Sequence, residues 1–280
     1  MTFSNYYNQW VKRLEDASID DAKTDVILLF EYLLNKKRND LLLCANDEML
    51  PDDVKIMEEA VCKREKHVPL QHITGFQNFM GFEFLVNDKV LVPRFDTECL
   101  VEEALKDGYD GEKVLDMCTG SGCIIISYMK YKNGITGFGA DISKDALLVA
   151  RENAARLEAD VQFIESDLFE GITEKNFDMI LSNPPYIRTS VIDSLMSEVK
   201  EHDPMLALDG GNDGLVYYRK IVNKAFDYLN NGGRLMVEIG HDQGEDVTNL
   251  FRDAKFIDVE VVRDLSGNDR VVKGRKPVII

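Results

Sequence analysis

Apolar residues recur every three or four positions through the first seventy residues, and this spacing predicts helices. One helix face is formed by Val26, Leu29, Phe30, Leu33 and Leu34. A second helix begins at Pro51-Asp52-Asp53, since proline and acidic residues favour a first turn. Its apolar positions are Val54, Met57 and Val61. The pattern predicts a small helical bundle.

The pattern changes after Val68-Pro69-Leu70. Two aromatic-rich runs, Phe76–Met80 and Phe82–Val86, flank Gly81 and predict a short hairpin. We therefore predict a helical domain over residues 1–75, a hairpin linker over 76–90 and a second domain over 91–280.

Short apolar runs alternate with amphipathic segments in the rest of the chain. The predicted strands are Glu112–Met117, Thr136–Asp141, Val161–Ile164, Phe177–Ser182, Arg234–Ile239, Phe256–Val262 and Val271–Ile279. The predicted helices are Cys123–Tyr131, Lys144–Leu157, Leu215–Leu229 and one near Glu245–Arg252. This order predicts an α/β fold with a doubly wound, mostly parallel sheet. Residues 264–270 are too few for a helical crossover, so the last two strands should be antiparallel, which favours a methyltransferase over a dinucleotide dehydrogenase.

Composition narrows the function classes. Hydrophobic residues make up 45% and charged residues 30% of the chain, as in ordinary globular proteins. The formal net charge is −17, and acidic residues outnumber basic ones both in the first 90 residues and in the remainder. Such a charge repels nucleic-acid phosphate and anionic lipid, so direct DNA binding and membrane binding are not expected.

Cysteine and histidine usage indicates a reducing compartment and no metal site. The five cysteines are scattered without a C-x-x-C pair, and the four histidines do not stand at zinc-site spacings. The N-terminal residues lack the apolar core of a signal peptide, and no run reaches the length of a membrane span. We expect a cytoplasmic protein.

A glycine-containing turn follows the first predicted strand of the second domain. Residues Cys118, Thr119, Gly120, Ser121 and Gly122 lead into a helix, where free backbone N–H groups and the positive end of the dipole favour a ligand. The run is not G-x-G-x-x-G, because position 125 is Ile. The alternative is a tight turn without a ligand.

Two further strand ends offer groups for an adenosine ligand. Asp141 lies 21 residues after Gly120, where an acidic side chain can accept both ribose hydroxyls; the alternative is a helix cap. Asp167 and Leu168 follow the third strand, where an adenine could lie between a carboxylate and an apolar side chain. An ordinary turn is the alternative there.

Asn183-Pro184-Pro185-Tyr186 is the most specific feature of the chain. Each proline restricts its own φ angle and disfavours the α region for the residue before it. The Asn183 side-chain oxygen and the Pro184 carbonyl are thereby preset as acceptors for the two hydrogens of a planar –NH₂ group. Tyr186 offers a flat face for that group. The alternative is a proline-rich turn without chemistry.

These motifs resemble those of class I S-adenosylmethionine-dependent methyltransferases, and the whole chain resembles the HemK/PrmC family. The family-specific blocks are Pro69–Gly75, Leu91–Glu98, Ala207–Leu215 and Glu238–Gly240. The resemblance implies a seven-stranded catalytic domain, a small N-terminal helical domain that helps to hold the substrate, and S-adenosylmethionine as cofactor. It also implies methylation of the glutamine side-chain nitrogen (N5) in the Gly-Gly-Gln motif of class I peptide chain release factors. The chain departs from the family at Cys118, where glycine is usual, and at Phe95, where proline is frequent.

Two other functions remain open from the residues alone. Adenine N6 presents the same planar nitrogen as a glutamine amide, so methylation of a nucleic-acid amine is an alternative, disfavoured by the acidic composition. A non-catalytic adenosyl-binding module is the other alternative.

The predicted catalytic residues are Asn183, Pro184, Pro185 and Tyr186. The predicted cofactor-binding residues are Cys118, Thr119, Gly120, Ser121, Gly122, Asp141, Asp167, Leu168 and Asn183.

Overall fold

The computed structural model describes residues 1–278. The N-terminal helices are α1 (Phe3–Asp16), α2 (Ala22–Leu34), α3 (Arg38–Leu43), α4 (Pro51–Arg64) and α5 (Leu70–Thr74). The hairpin strands are β1 (Phe76–Phe79) and β2 (Phe82–Leu85). The remaining helices are α6 (Phe95–Asp107), α7 (Cys123–Tyr131), α8 (Lys144–Arg156), α9 (Thr189–Ile192), α10 (Ser197–His202), α11 (Met205–Leu208), α12 (Val216–Tyr228) and α13 (Gly244–Asp253). The remaining strands are β3 (Lys113–Met117), β4 (Thr136–Asp141), β5 (Val161–Glu165), β6 (Phe177–Ser182), β7 (Leu229–Glu238), β8 (Ile257–Arg263) and β9 (Asp269–Arg275).

The described chain forms two compact units. One comprises residues 1–76 together with residues 196–202, and the other comprises residues 77–195 with residues 203–278. The sequence pattern gave no sign that α10, which lies far along the chain, belongs with the N-terminal helices. No helix within residues 1–278 has the length and apolar character needed to cross a membrane.

The N-terminal unit is a helical bundle, as predicted. Val26, Leu29 and Phe30 of α2 are buried, and they pack in one cluster with Met57 and Val61 of α4. Helix α4 has Pro51 in its first turn together with two acidic residues, which complement the positive end of the helix dipole.

A buried arginine joins three segments of this unit. Arg64 on α4 pairs with Asp25 on α2 at 2.6 Å and with Glu198 on α10 at 2.6 Å. Burial raises the pKa of Asp25, while the Arg64 guanidinium opposes the shift. The Arg64–Glu198 pair attaches residues 196–202 to the helical bundle.

The second unit contains a seven-stranded sheet with strand order β5-β4-β3-β6-β7-β9-β8. Strands β3 to β7 are parallel to one another, and β9 is antiparallel to both β7 and β8. The predicted doubly wound, mostly parallel sheet with an antiparallel last strand is confirmed. In the described residues this strand ends at Arg275; its predicted end at Ile279 lies outside them.

Burial on both faces accounts for the apolar runs of the central strands. Strand β6 is almost continuously apolar and buried, as expected for a parallel strand covered on both faces. Two hydrophobic clusters that include α12 on one face and α7 on the other enclose the sheet.

The order of the strands reverses between β3 and β6, because the chain adds β4 and β5 on one side and β7 on the other. In open α/β sheets, ligands bind in the crevice beyond the strand ends at such a reversal.

Candidate functional site

An open cavity lies beyond the carboxyl ends of β3, β4, β5 and β6. The parallel register aligns these ends, since Met117 is paired with Ala140 on one side and with Ser182 on the other. The residues that follow each strand therefore meet at one edge of the sheet. This register brings together the predicted motifs, which are dispersed along the sequence.

The β3–α7 loop forms one wall of the cavity. Cys118, Thr119, Gly120 and Ser121 line it, whereas Gly122 is not among its lining residues in the described chain. A Cβ atom on Gly120, whose φ is +53°, would meet no heavy atom within 4 Å, so the loop leaves open space there. Gly122 has a φ of +80°, and a Cβ there would lie 3.3 Å from the Ala150 Cβ, so this glycine permits the turn to pack closely against α8.

Cys118 adopts the left-handed backbone region with a φ of 61°. A glycine adopts this conformation without strain, which explains why the family usually has glycine there and why cysteine carries a conformational cost. Burial, and then the charge of Asp141, raise the pKa of the Cys118 thiol above its usual range. The thiol therefore stays neutral and contributes an uncharged surface to the cavity.

Asp141 lines the cavity and connects two of its walls. Its Oδ2 accepts from the backbone N–H of Gly120 at 2.9 Å, and its Oδ1 accepts from that of Ser143 at 2.9 Å. Ser143, not Asp141, is the N-cap of α8, because its side chain accepts from the N–H of Ala146. Each Asp141 oxygen retains acceptor capacity for a ligand hydroxyl. Burial raises the pKa of this carboxyl, and the backbone hydrogen bonds oppose the shift.

Asp167 and Leu168 also line the cavity, on the turn after β5. Leu168 has a φ of 50°, in the left-handed region. The Ser166 hydroxyl donates to the Leu168 carbonyl and accepts from the Gly171 N–H at 2.8 Å, which holds the turn in place. The turn presents a carboxylate beside an apolar side chain.

The Asn183–Tyr186 segment follows β6 directly. Asn183 and Pro185 line the cavity, whereas Pro184 and Tyr186 are not among its lining residues in the described chain. The Asn183 Nδ2 donates to Thr97 Oγ1 at 3.2 Å. The Tyr186 hydroxyl donates to Glu238 Oε1 at 3.2 Å, so its polar end meets a buried carboxyl at the end of β7. That Tyr186 offers a face to a substrate stays a prediction.

A glycine-rich segment holds the backbone after Tyr186. The N–H of Ile187 donates to the Leu208 carbonyl at 3.0 Å, and the N–H of Gly210 donates back to the Ile187 carbonyl at 2.8 Å. A Cβ on Gly210 would lie 2.7 Å from the Cα of Tyr186, so only glycine allows this approach. This contact accounts for the first glycine of the Gly-Gly pair in the family block at 207–215, and the φ of +86° at Gly211 accounts for the second.

Sequence reasoning missed two residues at this site, one that supports this backbone and one that lines the cavity. The buried Gln243 donates through Nε2 to the carbonyls of Tyr186, at 3.1 Å, and Gly214, at 3.2 Å. Arg94 lines the cavity, and its Nη2 contacts Asp203 Oδ2 at 2.7 Å. Arg94 stands within the family block Leu91–Glu98, and this position is the signal that could have identified it. Gln243 lies outside the family blocks.

The polar groups, the apolar surface and the open space of the cavity fit S-adenosylmethionine. The carboxylate of Asp141 suits ribose hydroxyls, Ile142 and Leu168 supply an apolar surface for adenine, and the open space at Gly120 admits a ligand close to the backbone. The lining carries the carboxylates of Asp141 and Asp167 and the cations Lys89, Arg94 and Lys220, so it suits a ligand that has both a positively charged sulfonium and a carboxylate. Within residues 1–278, no group of three or more His, Cys, Asp and Glu side chains could hold a metal ion.

Comparisons with known proteins agree with this geometry. The chain matches the family models of the PrmC N-terminal domain over residues 5–75 and of the methyltransferase small domain over residues 94–210. It is 40% identical over 262 residues to a release factor glutamine methyltransferase of Geobacter sulfurreducens, covering 94% of this chain and 92% of that one. It is 37% identical over 280 residues to one of Koribacter versatilis, covering 99% of each.

A solved structure supports the fold. The crystal structure of a methyltransferase from Pyrococcus furiosus aligns with a TM-score of 0.54 at 19% identity, covering 71% of this chain and 90% of that chain. This likeness shows a shared methyltransferase-like architecture.

Proposed function

The chain belongs to the release factor glutamine methyltransferase family, and we propose that it methylates the side-chain N5 of the glutamine in the Gly-Gly-Gln motif of class I peptide chain release factors. S-adenosylmethionine is the methyl donor. The observation that carries the proposal is the position of Asn183 and Pro185 in the cavity that also contains Asp141 and Gly120. This arrangement allows an amide nitrogen to approach a methyl donor that is bound beyond the carboxyl ends of the strands.

The mechanism follows from what the residues hold in place. S-adenosylmethionine would supply an activated methyl group on a positively charged sulfur and leave as the neutral thioether, S-adenosylhomocysteine, while the methylated nitrogen gives up one hydrogen as a proton. Asp141 and the β3–α7 loop bind and orient the cofactor, while Asp167 and Leu168 hold its adenine. Alignment of two reactants in this way can lower a barrier by about 7–11 kcal/mol.

Asn183 and Pro184 act on the nucleophile. An amide nitrogen is weakly nucleophilic because its lone pair is delocalised into the carbonyl. The Asn183 Oδ1 and the Pro184 carbonyl each accept one of its hydrogens, and these hydrogen bonds strengthen as positive charge develops on nitrogen. They also aim the nitrogen at the cofactor. Pro185 keeps Pro184 extended, and in this proposal the ring of Tyr186 offers a flat face to the substrate amide.

Selectivity follows from the same two acceptors. Glutamate would place carboxylate oxygens against the Asn183 and Pro184 oxygens, an unpaired arrangement that disfavours binding. Asparagine is one methylene shorter and would not reach the methyl group. Glycines beside the glutamine give its backbone the slenderness to approach the cavity.

The domain limits form part of the proposal. We assign substrate binding to residues 1–75, a linker to 76–90, and methyl transfer to 91–280. A separate family model over residues 5–75 supports the limits of the first of these domains. The proposed setting is the cytoplasm, where release factors act.

Mass spectrometry of purified release factors, incubated with the enzyme and labelled cofactor, tests the function. We expect one added methyl group on the Gly-Gly-Gln glutamine, and no label on release factors carrying Gln→Asn or Gln→Glu there. Adenine-containing duplex DNA serves as the competing substrate. Equal or faster transfer to DNA would favour the nucleic-acid alternative.

A further inference from the structure

One buried side-chain amide holds the backbone after Tyr186. Gln243, the residue before α13, is only 2% exposed. Its Nε2 donates to the carbonyl oxygens of Tyr186, at 3.1 Å, and of Gly214, at 3.2 Å. Its Oε1 accepts from the backbone N–H of Gly240 at 2.9 Å. Gln243 therefore joins three segments, which follow β6, precede α12 and follow β7.

The three backbone partners require an amide at this position. Two carbonyl oxygens need donors and one N–H needs an acceptor, and an amide carries two donor hydrogens beside an acceptor oxygen. An apolar side chain would leave all three buried groups without this partner, which is costly. The partners also determine the orientation of the amide, with Nε2 toward Tyr186.

Two glycines leave the space that the amide occupies. A Cβ on Gly214, whose φ is +74°, would lie 2.5 Å from the Tyr186 carbonyl oxygen and 2.6 Å from Gln243 Nε2. A Cβ on Gly240 would lie 2.9 Å from Gln243 Oε1. Both glycines therefore permit the hydrogen bonds between the amide and the backbone.

The Asn183–Tyr186 segment has few backbone donors of its own. Pro184 and Pro185 have no N–H, so neither can fix the segment by donating a hydrogen bond. The start of the segment is fixed by Ser182, the last residue of β6, whose hydroxyl donates to the Met117 carbonyl at 2.8 Å. The direction of the Pro184 carbonyl therefore also depends on how the far end of the segment is held.

The far end is held at the peptide group between Tyr186 and Ile187. The N–H of Ile187 donates to the Leu208 carbonyl at 3.0 Å, and the carbonyl of Tyr186 accepts from Gln243. Because both polar groups of this peptide are engaged, its plane is not free to rotate. Loss of either hydrogen bond would release the plane and change the direction of the Pro184 carbonyl, two residues earlier.

We propose that Gln243 is a positioning residue, which acts through the Tyr186 carbonyl to hold the Pro184 carbonyl toward the substrate amide. This inference rests on the proposed function and adds a residue to it. Gln243 is not among the cavity-lining residues of the described chain, so it acts without touching the reactants. Misplacement of reacting groups by about 1 Å can cost about 10²-fold in rate, so a small rotation of the backbone is measurable.

Gln243→Glu is the first test. The variant is nearly isosteric and keeps an acceptor for the Gly240 N–H. An ionised carboxylate has no hydrogen for the carbonyls of Tyr186 and Gly214, and a protonated one has a single hydrogen for both. We expect kcat to fall about 10- to 100-fold, with cofactor Kd changed less than about threefold. Methylation of a release factor at saturating cofactor, with calorimetry of cofactor binding, measures both quantities.

Asn153→Asp is the matched control. Asn153 on α8 is fully buried and makes the same set of bonds, because its Nδ2 donates to the carbonyls of Leu85 and Ser121, both at 3.0 Å, and its Oδ1 accepts from the Leu85 N–H at 2.7 Å. Ser121 belongs to the β3–α7 loop, so this variant should weaken cofactor binding and keep kcat at saturating cofactor within about threefold. A merely structural role of Gln243 would not separate the two parameters in this way.

Two glycine variants test the same contact without changing Gln243, and they apply where Gln243→Glu does not fold. Gly214→Ala places a Cβ against the Tyr186 carbonyl oxygen and Gln243 Nε2. Gly267→Ala, in the turn between β8 and β9, has a similar φ of +84° with no heavy atom within 4 Å of the added Cβ. Both variants carry the strain of alanine at a positive φ, so only Gly214→Ala should lower kcat, by about 10-fold or more.

Three outcomes would overturn the inference while Asn183→Ala still loses activity. They are a Gln243→Glu enzyme with wild-type kcat, equal losses of kcat in Gln243→Glu and Asn153→Asp, and equal kcat in the two glycine variants. If Asn183→Ala kept full activity, or if the wild-type enzyme transferred no methyl group to a release factor, the proposed function would fail instead. The two failures are therefore distinguishable.

Discussion

At the scale of single residues, Asn183 carries the most specific part of the proposed chemistry. Asn183→Ala removes an acceptor that contributes most when charge develops on the substrate nitrogen. We expect kcat to fall about 10²- to 10³-fold, as for other preorganised electrostatic contacts, with little change in folding or in cofactor Kd. Single-turnover methylation of a release factor, with calorimetry of cofactor binding, measures both quantities.

Asn230→Ala provides the matched control for this prediction. Asn230 lies near the start of β7, away from the cavity, where its side chain donates to the Asn176 carbonyl and to Asp178. This variant should keep the wild-type kcat. An Asn183→Ala enzyme with near wild-type kcat would refute the assigned role.

The sequence predicted the cavity-lining residues that follow the strands, but not the residues that support them. Gly120, Asp141, Asp167 and Asn183 were predictable because parallel strands end at one edge of a sheet. Thr97 stands in a family-specific block, yet its hydrogen bond with Asn183 depends on the tertiary packing of α6 against the end of β6. No spacing in the sequence encodes such a contact.

At the scale of elements, a buried ion pair joins β3 to β7 and α7. Glu112, just before β3, is fully buried and accepts from Arg234 on β7, from the Tyr128 hydroxyl on α7 and from the N–H of Tyr109 at 3.1 Å. Glu112→Ala would leave the Arg234 guanidinium buried without this partner. We expect a loss of about 3–5 kcal/mol in the free energy of unfolding, measured by urea denaturation.

An exposed ion pair in the same region is the control. Lys113 pairs with Glu174 at 2.6 Å, and the Glu174 side chain is 48% exposed. Glu174→Ala should cost at most about 1 kcal/mol, because solvent screens such pairs. Equal losses for the two variants would show that burial of the Glu112–Arg234 pair does not determine its contribution.

The predicted bounds match the structure for some elements, and they fail in segments that are too short or too irregular to show a hydrophobic pattern. Strands β4 and β6 have the predicted bounds, Thr136–Asp141 and Phe177–Ser182. Strand β7 begins at Leu229 rather than at the predicted Arg234, because Asn-Asn-Gly-Gly, a typical turn sequence, is accommodated by a register shift against β6. Helices α9, α10 and α11 have four to six residues each, too few to show a 3.6-residue period.

At the scale of the whole molecule, the strand order determines where chemistry can occur. The reversal between β3 and β6 opens a crevice, and each strand end contributes groups whose positions are fixed by a buried sheet. The residues that we propose for the methyl donor follow β3, β4 and β5, while Asn183 and Pro185 follow β6. In this proposal the fold separates cofactor binding from nucleophile binding while keeping both in one cavity.

The acidic groups buried in this architecture predict how stability responds to pH. Burial raises the pKa of Asp116 to about 7 from a usual value of 3.8, and that of Glu238 to about 7 from 4.5. At pH values between the usual and the raised pKa of each group, the folded protein binds more protons than the unfolded chain. The free energy of unfolding therefore falls as the pH rises from about 5 through 7. The slope is at most about 1.4 kcal/mol per pH unit for each group. Repulsion from the net charge of −17 acts in the same direction.

Asp116→Asn isolates the contribution of one group. Asp116 is fully buried on β3 and accepts from the Thr119 hydroxyl at 2.6 Å, a hydrogen bond that the Asn side-chain oxygen can also accept. Urea unfolding without cofactor at pH 5.5, 7 and 8.5 should show a smaller decline in the variant than in the wild type. Carboxyls with lowered pKa values, such as Glu65 and Glu103, lose their stabilising contribution only as the pH falls through those lowered values, so they do not affect this window. Parallel pH dependence in the two proteins would mean that Asp116 is ionised throughout this range in the folded state.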